Sequence, residues 1–170
     1  MKMKLTACLA VTGLFLSCLH PAAAADLTAG MKKSALELKS AGPVAFGPGG
    51  ILFVADPLGA AVHAIATGDT AKAGKAGAIA LEAVDRKIAA ALGTSPDKIR
   101  ISDLAVNPAS GVAYLSVARG SSVAAPGVIV AVRGEKLEAL DLSNLKSASI
   151  SLSAVPDAKA ETGRGRRRQS

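Results

Sequence analysis

The sequence predicts a mainly β chain of about two four-stranded antiparallel units, interrupted by one short helix. Three observations predict it. Short apolar runs recur between Gly, Pro, Asn and Asp turns from Val44 onward. The apolar period changes to a helical one once, over Leu81 to Leu92. Two stretches about 60 residues apart share one pattern of strand, Pro-Gly turn and strand.

The elements follow in order. Residues 26–42 form a polar lead-in with Met31-Lys32-Lys33 and Leu36-Glu37-Leu38. Val44 to Phe46 is a short strand ended by the turn cluster Gly47-Pro48-Gly49-Gly50. Ile51 to Ala55 is a strong strand, turned at Asp56-Pro57-Leu58-Gly59. Ala61 to Ala66 alternates as a third strand and stops at Thr67-Gly68-Asp69. Residues 70–77 hold only Ala, Gly, Lys and Thr and read as a loop. In the helical stretch, Leu81, Val84, Ile88, Ala91 and Leu92 share a face, and Gly93 follows its end. Beyond Pro96 the β pattern resumes: Ile101 to Val106, a turn over Asn107 to Gly111, then Val112 to Ala118. Val128 to Arg133 and Leu137 to Leu142 make a hairpin around Gly134-Glu135. A last strand is expected from Ser149 to Val155.

The chain opens differently. Met1 to Lys4 is basic, Leu5 to Leu19 apolar, and Ala22 to Ala25 offers an A-x-A cut after Ala24 or Ala25. These are the parts of a secretory signal peptide, so the expected site is periplasmic or extracellular. No span across a membrane is expected once it is removed. Both cysteines, Cys8 and Cys18, lie in this leader, so a mature chain forms no disulfide. Phe15-Leu16-Ser17-Cys18 loosely resembles a lipoprotein box, and lipidated Cys18 is the alternative anchor.

Of the 170 residues, 50% are hydrophobic and 19% charged, which excludes a disordered chain. Aromatics are 2%, too few to stack nucleobases. The net charge of +7 is concentrated at the ends, in Lys2, Lys4, Arg164, Arg166, Arg167 and Arg168. The body is nearly neutral, and no nucleic-acid partner is expected.

The repeat aligns Val44-Ala45-Phe46-Gly47-Pro48-Gly49-Gly50-Ile51-Leu52-Phe53 with Leu104-Ala105-Val106-Asn107-Pro108-Ala109-Ser110-Gly111-Val112-Ala113-Tyr114. Each has an aromatic at the third position after its final glycine. Without the helical insertion the spacing approaches a propeller blade of about 40–45 residues. Val44 to Ala66 resembles a blade of NHL-type and gluconolactonase-type β-propellers. Val84 to Gly120 resembles a group of exported bacterial propeller proteins, in which Asp85 to Gly93 corresponds to a helical insertion. The resemblance covers about residues 40–155.

These readings and the resemblance together divide the chain into leader 1–25, lead-in 26–42, first blade-like unit 43–81, helical insertion and loop 82–98, second unit and the start of a further strand 99–155, and disordered basic tail 156–170. A propeller closes with about four blades or more. About two are present, so an incomplete or truncated propeller is expected, with open faces that favour self-association.

Chemistry is sparse. His63 is the only histidine outside the leader, so zinc is not expected. No cofactor is expected. The alternative is calcium held by oxygens of Asp103, Asn107 and Asp56, since gluconolactonase-type propellers use such clusters at strand ends. Asp56 before Pro57 and Asn107 before Pro108 are more simply turn formers. Arg119, between a strand end and Gly120, is a candidate contact for an anionic ligand. No Gly-x-Ser-x-Gly elbow accompanies His63, and Ala76 stands where a phosphate loop needs Ser or Thr. The leading expectation is a non-catalytic binding or scaffold module. The alternatives are part of a divalent-cation-dependent lactonase-like hydrolase, and a small self-associating β domain.

Overall fold

The computed structural model describes residues 26–72, 80–122 and 124–152. The expected leader with Ala24, Ala25 and Cys18, and the basic tail 156–170, lie outside the described residues. The fold is mainly β. Nine strands are described: β1 (Lys32–Lys33), β2 (Val44–Phe46), β3 (Ile51–Asp56), β4 (Ala61–Ala66), β5 (Ile99–Val106), β6 (Ala113–Arg119), β7 (Gly127–Arg133), β8 (Lys136–Ala139) and β9 (Lys146–Ser151). One helix, α1 (Val84–Ala91), lies between β4 and β5. The strands form two antiparallel sheets, in the orders β1-β9-β4-β3-β2 and β5-β6-β7-β8. Among the described residues the strands close into no barrel.

The sequence repeat is also a structural repeat. In the first turn the Gly47 N–H donates to the Ile51 carbonyl at 2.8 Å. In the second the Asn107 N–H donates to the Val112 carbonyl at 2.9 Å. Both turns end on a glycine in the left-handed region, Gly50 at φ 71° and Gly111 at φ 73°. A Cβ on Gly50 would also stand 2.6 Å from the Asp69 carbonyl oxygen, so only glycine fits there. The registers correspond too: Ala45 faces Phe53 in one hairpin, and Ala105 faces Tyr114 in the other.

The first sheet is not drawn from one segment. Residues 43–81 supply β2, β3 and β4, and the strand beside β4 is β9. The stretch after β4 reaches α1, which is used against the second sheet. The free side of β4 is therefore left to Lys146–Ser151, whose Ser147, Ser149 and Ser151 alternate with Ala148 and Ile150. This strand begins three residues earlier than the alternation from Ser149 predicts.

Three layers result. Leu38, Val44, Leu52, Val54 and Ile65 pack against Tyr114, Ile129 and Ala131 between the sheets. On the far side of the second sheet, Leu115, Val117, Val130 and Val132 pack under Ile88 and Leu92 of α1. β6 and β7 are thus covered on both faces, which is why β7 reads as a continuous apolar run and β6 as one broken only by Ser116. β4 is covered on one face and alternates. The helix is shorter than its apolar period predicts. Ala83 takes a left-handed conformation at φ 49° with no side-chain cap, so Leu81 and Glu82 stay outside. Gly93, at φ 64°, ends it as expected.

Candidate functional site

Asp56 closes β3 and is 2% exposed. Its Oδ1 accepts from Ser40 Oγ at 2.7 Å and from the Gly59 N–H at 2.9 Å. Its Oδ2 accepts from the Lys39 N–H at 2.8 Å. Ser40 Oγ in turn accepts from the Leu58 N–H at 3.0 Å. One carboxylate therefore ties the lead-in to the turn between β3 and β4. Burial pushes the Asp56 carboxyl up, but the hydrogen bonds from Ser40, Gly59 and Lys39 outweigh it and hold it below the ordinary range.

Asp103 lies at a bulge in β5, where the register with β6 shifts between Ile101 and Asp103. Its Oδ2 accepts from the Val44 N–H of β2 at 2.9 Å, and its Oδ1 from the Leu104 N–H at 2.8 Å. The Val44 and Leu104 N–H groups lower its pKa. The side chain thus bridges the two sheets at β2 and β5. Asn107 is fully buried. Its Nδ2 donates to the Asp69 carbonyl at 2.7 Å, and its Oδ1 accepts from the Ala109 N–H at 3.0 Å. The structure places these three residues at three separate joints. Among the described residues no three His, Cys, Asp or Glu side chains gather closely enough to hold a metal ion. Arg119 ends β6 with an exposed side chain, and its N–H donates to the Pro126 carbonyl at 3.0 Å.

A buried polar cluster centred on Asp69 was not legible beforehand. Asp69 Oδ2 accepts from Ser110 Oγ at 2.6 Å and from Tyr114 Oη at 3.0 Å. Arg133 Nη2 donates to Tyr114 Oη at 3.3 Å, and Arg133 Nη1 lies 3.9 Å from Asp69 Oδ1. Burial raises the Tyr114 pKa first. Its hydrogen bond to Asp69 and the charge there raise it further, because phenolate beside carboxylate is unfavourable. The sequence signal was the aromatic position of the repeat. Its partner lies 45 residues away, after the first sheet's last local strand.

His63 brings Ser149 and Asp56 into view together. Its Nδ1 lies 2.7 Å from Ser149 Oγ, and its Nε2 lies 3.8 Å from Asp56 Oδ2. The trio resembles a serine nucleophile, base and orienting carboxylate. The chemistry departs from that pattern at the carboxylate. A separation of 3.8 Å is not a hydrogen bond, and the Asp56 oxygens already accept three. Ser149 stands within a regular strand, directly across from His63. The pair is a cross-strand hydrogen bond whose ring is not oriented by the acid.

Two shallow depressions border these joints. One, of about 400 Å³, is lined by Glu37, Leu38, Lys39, Leu58, Ala124 and Pro126. The other, of about 280 Å³, is an apolar groove between α1 and β5, with Val84, Leu104 and Leu115 in its walls. The first places one carboxylate and one ammonium group beside apolar walls. Among the described residues no helix is long and apolar enough to cross a membrane. No family profile, curated protein or solved structure matches the chain.

Proposed function

We propose that this chain is an exported, non-catalytic binding or scaffold module built from NHL-like propeller blades. The observation that carries this reading is the use of its polar side chains as joints. Asp56, Asp69 and Asp103 spend carboxylate oxygens on backbone or hydroxyl donors of other elements, and Asn107 donates from Nδ2 to the Asp69 carbonyl. The blade assignment is supported by the matched turns at Gly50 and Gly111 and the matched Ala-aromatic registers. Export rests on the leader, and the N-terminus of the mature chain recovered from the periplasm or medium is expected at Ala25 or Asp26. A chain that keeps Met1 would remove that part of the reading.

One observation favours a hydrolase instead, the 2.7 Å contact between His63 and Ser149. The two readings separate in one assay. The purified chain is offered p-nitrophenyl acetate and simple lactones, with and without calcium. The expected result is no turnover above the protein-free rate, and no rise in unfolding temperature with calcium. Turnover abolished by Ser149→Ala or His63→Ala would establish the hydrolase. Calcium stabilisation abolished by Asp103→Ala would establish a cation site.

A further inference from the structure

The larger depression, of about 400 Å³, combines charged and apolar walls. Its size falls in the range of small-molecule sites. The groove beside α1 has apolar side chains throughout, so it orients no ligand.

One buried carboxylate fixes two walls of the larger depression. Asp56 Oδ2 holds the Lys39 N–H, and Asp56 Oδ1 holds Ser40 Oγ, which in turn holds the Leu58 N–H. The third wall is pinned separately. The Gly127 N–H donates to the Leu38 carbonyl at 2.9 Å, which sets Pro126 against the lead-in. A Cβ on Gly127 would stand 2.6 Å from the Ser40 carbonyl oxygen, so only glycine permits this approach. The walls therefore stand in place before a ligand arrives, which removes part of the ordering cost of binding.

The charges say what such a pocket accepts. Glu37 and Lys39 are exposed while Leu38 between them is buried, so both charged side chains leave the lead-in on its solvent side. Neither is in an ion pair with a described residue. Two residues of extended chain span about 6.8 Å. A molecule with opposite charges one carbon apart, held by a hydrogen bond of about 2.8 Å at each end, bridges that span. Beside them Leu58 is 48% exposed, a large apolar side chain held open at a hydrogen-bonded turn. We propose that this pocket binds a free apolar α-amino acid. The ligand's ammonium meets Glu37, its carboxylate meets Lys39, and its side chain covers Leu58 and Pro126. A simple anion or cation would leave one of the two charges unanswered, and a purely apolar molecule both. The proposal rests on the binding reading above and names its ligand class. Absence of binding would overturn the ligand while leaving the absence of turnover, on which the non-catalytic reading stands, untouched.

The test is an amide NMR titration of the mature full chain with L-leucine to about 20 mM. Saturable shifts are expected at Lys39, Leu58 and Gly127 with a midpoint of about 1 mM, since exposed charges contribute little each. L-alanine, without most of the apolar side chain, is expected to bind at least ~10-fold more weakly. N-acetyl-leucine lacks the ammonium and leucine amide the carboxylate, and each is expected to bind ~3-fold or more weakly. Two variants assign the partners. Glu37→Gln should erase the preference for leucine over N-acetyl-leucine, and Lys39→Gln the preference over leucine amide. Both positions are exposed, so the variants fold. No saturable shift to about 20 mM overturns the proposal, as do saturable shifts confined to other elements. So do equal midpoints for leucine and alanine, or preferences that both variants leave intact.

Discussion

Asp56→Ala is expected to lower the unfolding free energy by about 3–5 kcal/mol, read by urea titration. The substitution strands three donors in a place with little water: Ser40 Oγ and the N–H groups of Lys39 and Gly59. Each orphaned donor costs about 1–3 kcal/mol, and partial rehydration keeps the sum below three full penalties. The lead-in should loosen first, because Leu38 is held otherwise by its bridge to Gly127 and its packing in the inter-sheet core. Faster amide exchange at Lys39 and at the Gly127 contact, ahead of β6 and β7, would register this. Asp56→Asn keeps one acceptor oxygen and is expected to cost about half as much. The carboxylate also sets a pH dependence. Its pKa is lowered in the folded chain, so the unfolded chain holds the proton more tightly. The stabilisation is whole above about pH 4 and is lost as pH falls through the folded value. Asp103, lowered by the Val44 and Leu104 N–H groups, acts in the same direction. Asp56→Asn should flatten the acid limb of the stability curve. A variant that loses stability without flattening it would place the carboxylate's role elsewhere.

What was legible in the sequence was local. The hairpin turns were readable because Gly50 and Gly111 must take positive φ, and proline two or three residues earlier marks the same bend. The strand at Val112 to Ala118 was readable from its apolar run, broken only at Ser116, but its cover by a helix on one side and a sheet on the other was not. The place of β9 could not be read, since it depends on which edge the intervening chain leaves open. The site was half legible in the same sense. Asp56, Asp103 and Asn107 were singled out as oxygen donors at strand ends, and each is a hydrogen-bonding oxygen at a strand end or bulge. Their partners are backbone N–H groups and, for Asp56, the Ser40 hydroxyl, at different joints, and strand-end position alone says nothing about which way a carboxylate turns. Asp69 was read as a strand stop because its partners Ser110 and Tyr114 come from the other sheet.

Tyr114→Ala is expected to cost about 4–5 kcal/mol, the other large effect in the molecule. The ring is fully buried between the sheets and meets Phe46 edge-on, with centroids 5.1 Å apart and planes at 68°. Truncation leaves a cavity that two sheets, each fixed by its own ladders, cannot close. Tyr114→Phe keeps the ring and removes only the hydroxyl. Asp69 then retains Ser110 Oγ, so the expected loss is about 1–2 kcal/mol. Combining Tyr114→Phe with Asp69→Asn should cost about 1 kcal/mol less than the sum of the two single losses, since both remove one hydrogen bond. The decisive comparison is with the repeat's other aromatic. Phe53 has the same strand position and the same alanine opposite, but it is 41% exposed. Phe53→Ala should cost about 1 kcal/mol or less. Sequence position and local register are held constant across this pair, so the difference of about 3–4 kcal/mol, less the loss measured for Tyr114→Phe, measures the sheet that lies on Tyr114. Equal losses at the two positions would mean that the sheets do not face one another through Tyr114, and the equivalence of the two blade faces would fall with that result.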